Sequence, residues 1–349
     1  MSPTIDVRSD TVTRPTPLML EAMMAAEVGD DVFGEDETVN ELQRKAAALF
    51  GKDAALFCPT GTMTNQIGIR VHTRPGDEVI CDQLAHIYLF EGGGLAANGG
   101  CSVRLLEGDR GRFTADQVRA NINRRDDSHL SWTQVVAVEN TVNKGGGSCW
   151  SLGELEQIRL VCNQNQLAMH LDGARLFNAL VARSESPLEY GRLFDTISIC
   201  LSKGLGAPAG SLLLGSRELI ARAHRFRKLM GGGMRQAGYF AAAGLFALEH
   251  NVNRLREDHV RAKALESELG SLAYVSGVLP VETNIVIFTL HDDVNTEQFL
   301  QTLRSHGVRA GAMGHQSIRF VFHLDVTDDH VAILLRTLRS LRLTANNRA

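Results

Sequence analysis

The chain has 349 residues, of which 44% are hydrophobic and 22% charged, the balance of an ordinary globular protein with room for more than one domain. Thirty-six Lys and Arg against 40 Asp and Glu leave a net charge of −4, which excludes a bulk electrostatic attraction to nucleic acid. No apolar run reaches the length of a membrane span, and the start MSPTIDVRSD lacks the apolar centre of a signal peptide, so no membrane partner and a cytoplasmic location are expected.

In chain order, EDETVNELQRKAAALFG predicts a helix ending at Gly51, with Leu42, Ala46 and Leu49 on one face. AALFCPTG reads as a strand running into a loop, and TNQIGIRVHTR as the helix behind it. Strands follow at EVICDQLAH, SVRLLEG, TQVVAVENT, LAMHLDGAR, DTISICLSK and SLLLGS. They are short and often continuously apolar, as strands buried on both faces by helices are. The helix SLGELEQIRLVCNQN fits between two of them, and the basic cluster RFRK at 225–228 reads as a solvated helix face. This alternation predicts an α/β fold with a mostly parallel sheet.

After GGGMRQAG, a helix rich in small residues begins at YFAAAGLFALEHNV and continues, with a break, into LREDHVRAKALESELGSL. Strand NIVIFTL, helix TEQFLQTLRSHG, strand SIRFVFHL and helix TDDHVAILLRTLRSLRL then form a smaller α/β layer. The expected division is a large domain over 1–250, with an N-terminal arm at 1–15, and a small C-terminal domain over 251–349.

Six cysteines, at 58, 81, 101, 149, 162 and 200, form no C-x-x-C, which points to reduced thiols rather than staples. Twelve histidines include no H-E-x-x-H and no zinc spacing with cysteine, so no metal is expected.

Ligands of open α/β sheets collect at the carboxyl ends of strands, so the residues that end each strand carry the chemistry. Lys203 is the one charge in SICLSKGLGAPAGSLLLG, where small residues follow it. A solvated loop lysine is the bland reading; an amine held in a dry crevice to form a Schiff base with a carbonyl is the sharper one. Gly61 and Thr62 stand where a loop turns into a helix, either as an ordinary cap or as a cradle of N–H groups for phosphate. Asp172 ends LAMHLD, 31 residues before Lys203 and about one βαβ unit away, as a helix cap or a functional anion. His86 is a candidate aromatic platform or base. Lysine, carboxylate and phosphate cradle together suit pyridoxal phosphate.

The segments DVRSDTVTRPT, EVGDDVFGEDETVNELQ, PTGTMTNQ, HIYLFEGGG, ENTVN, LDGARLFNA, SKGLGAPAGSLL, GGGMRQAG and IRFVFHLDV run almost end to end. On them the sequence resembles the low-specificity L-threonine aldolases of the aspartate aminotransferase-like fold group. The resemblance implies a pyridoxal 5′-phosphate enzyme of fold type I, with a seven-stranded, mostly parallel sheet and a small C-terminal α/β domain. It implies cleavage of L-threonine, L-allo-threonine and related amino acids to glycine and an aldehyde. By resemblance, Lys203 holds the cofactor's aldehyde carbon, Asp172 pairs with the pyridinium nitrogen, and Arg175 lies near the phenolic oxygen. Gly61 and Thr62 hold the phosphate, and His86 stacks on the ring. Arg235, with Lys228 nearby, reaches a phosphate in a neighbouring subunit of a homotetramer, a dimer of dimers with shared sites. Ser9 and Arg319 hold the substrate carboxylate. Candidate bases are His86, His129 or a water they hold. Two departures bear on substrate preference: Val142 replaces the histidine of ENTHN, and Phe322 stands at the threonine of THLD. Same-fold alternatives are an aldolase preferring aryl serines, a β-eliminating lyase and a transaminase; a remote alternative is a non-catalytic cofactor-binding protein.

Overall fold

A computed structural model describes residues 4–341. The first residues of the expected arm, 1–3, and the last of the expected small domain, 342–349, lie outside the described residues. The chain opens with a two-residue strand β1 (Ile5–Asp6). The large sheet follows: β2 (Ala54–Cys58), β3 (Glu78–Asp82), β4 (Ser102–Leu106), β5 (Thr133–Glu139), β6 (Ala168–Gly173), β7 (Thr196–Cys200) and β8 (Ser211–Gly215). Their order is β2-β8-β7-β6-β5-β3-β4. Only β8 runs against its neighbours β2 and β7; every other pairing is parallel. All residues of β3, β7 and β8 are buried, as their apolar runs predict, whereas β4 at the sheet edge exposes Ser102 and Leu105. The return into β8 needs Gly210, whose φ is +110° and whose added Cβ would stand 2.5 Å from the Phe57 ring.

Helix Glu37–Phe50 ends as expected at Gly51, in the left-handed region, and begins at an Asp36 cap on the Val39 N–H. Its buried stripe is Val39, Leu42, Ala46, Ala47 and Phe50. Leu49 lies at the rim of that stripe and is exposed, which corrects the expected face. The RFRK cluster, in helix Arg217–Leu229, also departs from expectation: Arg227 is buried, donating to the Phe57 carbonyl at 2.7 Å and pairing with Asp31 at 2.8 Å. An arginine with a carboxylate and a carbonyl within reach is satisfied away from water.

Helix Gly238–Phe246 runs through a π-type turn at Ala247–Asn251 before helix Leu255–Leu269, which is the expected break. Beyond it lie β9 (Val275–Val278), β10 (Ile285–Leu290), β11 (Val308–Arg309), β12 (Gly311–Ala312) and β13 (Ser317–Val321). Four of them form an antiparallel sheet, β12-β13-β10-β9. Leu265, Phe299 and Leu334, from three successive helices, pack on it in one core. Ile5 and Val7 belong to that same core, and β1 pairs in parallel with β11. The start of the N-terminal arm therefore adds to the C-terminal layer, because its alternating apolar pair finds a core and a strand partner there. All six cysteines are buried and unpaired. No helix among the described residues is long and apolar enough to cross a membrane.

Candidate active site

The five segments that follow β2, β3, β5, β6 and β7 meet at the carboxyl end of the large sheet. There, Thr60, Gly61, Thr62, Asn65, His86, Cys200 and Lys203 line a crevice of about 330 Å³. Lys203 comes three residues after β7, with Nζ 3.5 Å from the Cys200 Sγ. Asp172 lies on β6, paired with Ser198 of β7, so it leaves the neighbouring strand at the same end. Its Oδ1 accepts the Ala174 N–H at 3.1 Å, while its Oδ2 is buried with no hydrogen-bond partner among the described residues. A buried carboxylate oxygen without a donor is costly, and a protonated ring nitrogen is the group that would satisfy it.

Helix Gly61–Arg70 begins at the crevice. Its cap is Thr60, which accepts the Met63 N–H at 3.2 Å, so Thr62 is not the capping residue and stands within the first turn. A Cβ on Gly61 would fall 2.4 Å from the Cys200 Sγ; the helix start approaches β7 that closely only with glycine. Such a helix start offers backbone N–H groups to an anion.

His86 follows β3 and lines the same crevice. Its backbone N–H donates to Glu139 Oε2 at 2.8 Å, and its Nδ1 stands 3.0 Å from Glu91 Oε1. Burial alone would lower the imidazole pKa, but the Glu91 hydrogen bond and the charges of Asp172 and Glu139 raise it. Burial, then the proximity of Asp172, push Glu91 up as well. Glu139, wholly buried beside Asp172, is pushed up to about 7. Ligand atoms of His86, Glu91 and Asp172 lie within 4.8 Å of one another, the spacing of a candidate cation site, with Nδ1 already engaged by Glu91.

Arg175, beyond β6, makes a two-point pair with Asp10, both bonds at 2.7 Å and both side chains buried. Burial would raise the Asp10 carboxyl, yet Arg175 and then Lys203 hold it down at about 2. Arg319, on β13, donates to Asn143 Oδ1 at 2.6 Å and to the Arg8 carbonyl at 3.0 Å, and its Nε is buried without a partner. Burial and the nearby Arg175 bring its pKa down to about 10. An arginine with an unmet donor and a cationic neighbour is prepared for a carboxylate. Ser9 accepts the Thr11 N–H at 3.3 Å, the local bond of a capping serine.

The chain thus brings Gly61, Thr62, His86, Asp172 and Lys203 together, with Arg175 and Arg319 beside them. It does not bring in three others. His129 is exposed, bonded to Asp127, and precedes β5. That strand is roughly 20 Å long at ~3.3 Å per residue, so within one chain His129 sits at the opposite end of the sheet from Lys203. A larger cavity, about 660 Å³, opens at that end around Pro75, Asp77 and Trp132, away from every strand-end residue named above. Arg235 pairs with Asp30 at 2.8 Å, and Lys228 lies in the last turn of helix Arg217–Leu229; neither lines the crevice. Val142 packs under Gly111 and Phe322 lies in the small-layer core, so neither departure from the family pattern lines the crevice.

Sequence reasoning passed over Asp10, Asn65, Glu91, Glu139, Asn143 and Cys200. Their signal was available: Asp10 adjoins Ser9, Glu91 lies in HIYLFEGGG, and Glu139 and Asn143 bracket ENTVN.

Residues 6–293 match the family described as beta-eliminating lyase. The chain belongs to the beta-eliminating lyase family. Within it, the chain is 43% identical over 329 residues to the low specificity L-threonine aldolase of Escherichia coli strain K12, covering 94% of this chain and 96% of that one. It is 37% identical over 346 residues to low-specificity L-threonine aldolase 1 of Arabidopsis thaliana, covering 97% of each. Among solved structures, a threonine aldolase of Leishmania major superposes with a TM-score of 0.83 at 20% identity, covering 96% of this chain and 98% of that chain, which shows the shared fold.

Proposed function

We propose that this protein is a pyridoxal 5′-phosphate-dependent aldolase that cleaves L-threonine, L-allo-threonine and related β-hydroxy-α-amino acids to glycine and an aldehyde. The observation that carries the reading is the orphaned Asp172 Oδ2 at the end of β6, its carboxylate within 4.8 Å of the His86 ring that lines one crevice with Lys203. The family relationship and the aldolase names of the relatives support it. When bound, the cofactor supplies an electron sink for the pair left on Cα.

Lys203 would hold the cofactor's aldehyde carbon, Asp172 its ring nitrogen, and Gly61 with Thr62 its phosphate. His86 would cover the ring face, and Arg175 would lie near the phenolic oxygen. Arg319 and Ser9 would clamp the substrate carboxylate, turning the Cα–Cβ bond across the ring plane. That orientation lets the breaking bond overlap the π system, so positioning carries much of the rate. His86 would take the β-hydroxyl proton, a step worth about 10²–10⁴-fold. His129, Lys228 and Arg235 would act only from a neighbouring copy, in a homotetramer built as a dimer of dimers. A cytoplasmic location suits the reduced cysteines.

The test is the release of aldehyde and glycine from L-threonine, L-allo-threonine and phenylserine by the cofactor-loaded protein. Equimolar products establish the aldolase, and their rate ratios assign its preference, aryl or aliphatic. Keto acid with or without ammonia, or no product at all, overturns it.

A further inference from the structure

We propose that Glu91 is a positioning residue that holds His86 in the tautomer protonated on Nδ1, leaving the Nε2 lone pair to take the substrate's hydroxyl proton. The proposal rests on the aldolase reading above.

The argument comes from the polarity of a buried hydrogen-bond chain. Glu91 Oε1 stands 3.0 Å from His86 Nδ1 and 2.8 Å from Asn65 Nδ2. An amide nitrogen only donates, so Oε1 accepts from Asn65. The orientation of Asn65 is set from its other side, where its Oδ1 lies 3.3 Å from His170 Nε2. Turning the amide over would face its oxygen to the Glu91 carboxylate, acceptor against acceptor. Burial pushes His170 down to about 3, so it is neutral and carries one ring proton. That proton sits on Nε2 to reach Asn65, which leaves Nδ1 to accept from the Thr196 hydroxyl at 2.9 Å. Thr196 in turn accepts from His72 Nε2 at 3.1 Å, and burial likewise lowers His72, to about 4. Every donor in the chain therefore points towards Glu91. The hydrogen bonds of Asn65 and His86 favour the ionised Glu91, whose Oε1 then only accepts, so Nδ1 carries the hydrogen. Nε2 has no protein partner among the described residues, and His86 lines the crevice.

The surrounding charges fit this assignment. Asp172 faces the pair from β6 and Glu139 from β5, whose Oε2 accepts the His86 backbone N–H; Lys203 lines the crevice from beyond β7. Helix Gly61–Arg70 contributes the neutral Asn65 and Gln66, the latter donating to the Glu91 carbonyl at 3.3 Å. Lys144 approaches from its loop only as far as the Phe90 ring, at 5.9 Å. Three carboxylates thus favour a proton arriving at Nε2. In the step, the hydroxyl proton moves to Nε2, and the O–H pair becomes the second C–O bond of the aldehyde. The Cα–Cβ pair stays on Cα, and the proton taken by Nε2 balances the one Cα gains as glycine is completed.

Four forms of the holoenzyme test this: wild type, Glu91→Gln, His86→Asn and the double variant. Each is followed by pH profiles of kcat and kcat/KM on L-threonine and by nitrogen-15 NMR of labelled histidines, the His86 signal being the one lost in His86→Asn. In wild type, His86 is expected protonated on Nδ1. Glu91→Gln is expected to lower kcat by about tenfold or more with KM altered less, a loss within the range for proton transfer. Its acidic limb moves to lower pH, because the carboxylate no longer raises the imidazole. The double variant falls no further than His86→Asn, since the two residues act as one unit. A wild-type His86 protonated on Nε2, an unchanged pH profile in Glu91→Gln, or losses that multiply in the double variant would each overturn the inference. The tautomer is read in wild type, so it stands even if Glu91→Gln does not fold. Wild type that releases no aldehyde and glycine would overturn the aldolase reading alone.

Discussion

Asp10 and Arg175 are 165 residues apart in the chain and form a two-point ion pair, Nε to Oδ2 and a terminal guanidinium nitrogen to Oδ1, each at 2.7 Å. The pair joins the N-terminal arm, itself packed with the C-terminal layer, to the segment after β6 that carries Asp172. The pair thereby ties the start of the chain to its middle, next to Ala174 of the crevice wall.

Replacing Asp10 by Asn should destabilise the protein by about 3–5 kcal/mol in urea unfolding, because a buried guanidinium is left with an incomplete partner. The wild type should also show a pH slope that the variant lacks. The Asp10 carboxyl is held at about 2 against a usual 3.8, so the folded state binds fewer protons than the unfolded one. Its contribution is complete above about pH 4 and is lost as pH falls towards 2.

Glu139 should act in the opposite sense. Burial and Asp172 hold its carboxyl at about 7 against a usual 4.5, so the folded, cofactor-free protein binds more protons across that window. Stability then declines as pH rises from about 4.5 to 7. Denaturation midpoints measured across that range should flatten in Glu139→Gln; an unaltered slope would assign the dependence elsewhere.

Gly61→Ala forces a Cβ to 2.4 Å from the Cys200 Sγ. Overpacking of this kind costs about 1–3 kcal/mol. The thermal midpoint and the cofactor affinity should both fall, and adding Cys200→Ala should recover much of each. Failure of the second change to rescue would place the strain outside this contact.

Arg319→Lys keeps the charge and loses the planar fork. A hydrogen bond to a charged group is worth about 1.5–3 kcal/mol, so KM for amino-acid substrates should rise about 10–100-fold. The visible spectrum of the bound cofactor should be unchanged, because Arg319 is proposed to touch only the substrate. A spectral change with KM unaltered would remove it from the carboxylate clamp.

Much of the fold was legible along the chain. The apolar runs of β3, β7 and β8 announced a buried sheet, and Gly51 ended its helix, because both signals are local. The reversed direction of β8 was not legible, since apolar runs carry no strand polarity. Nor were β9, β11 and β12, which are too short or glycine-containing to show a period.

By itself the sequence determined the local arrangements from which the chemistry is proposed: the lone Lys203 among small residues, Asp172 at a strand end, and the Gly61 helix start need no partner to be recognised. Only the tertiary structure decided what those groups face. Asp10 against Arg175, Asn143 against Arg319 and Asn65 between His170 and Glu91 join residues far apart in the chain. Charge balance and hydrogen-bond polarity are properties of three-dimensional neighbours, and a one-dimensional pattern records neither.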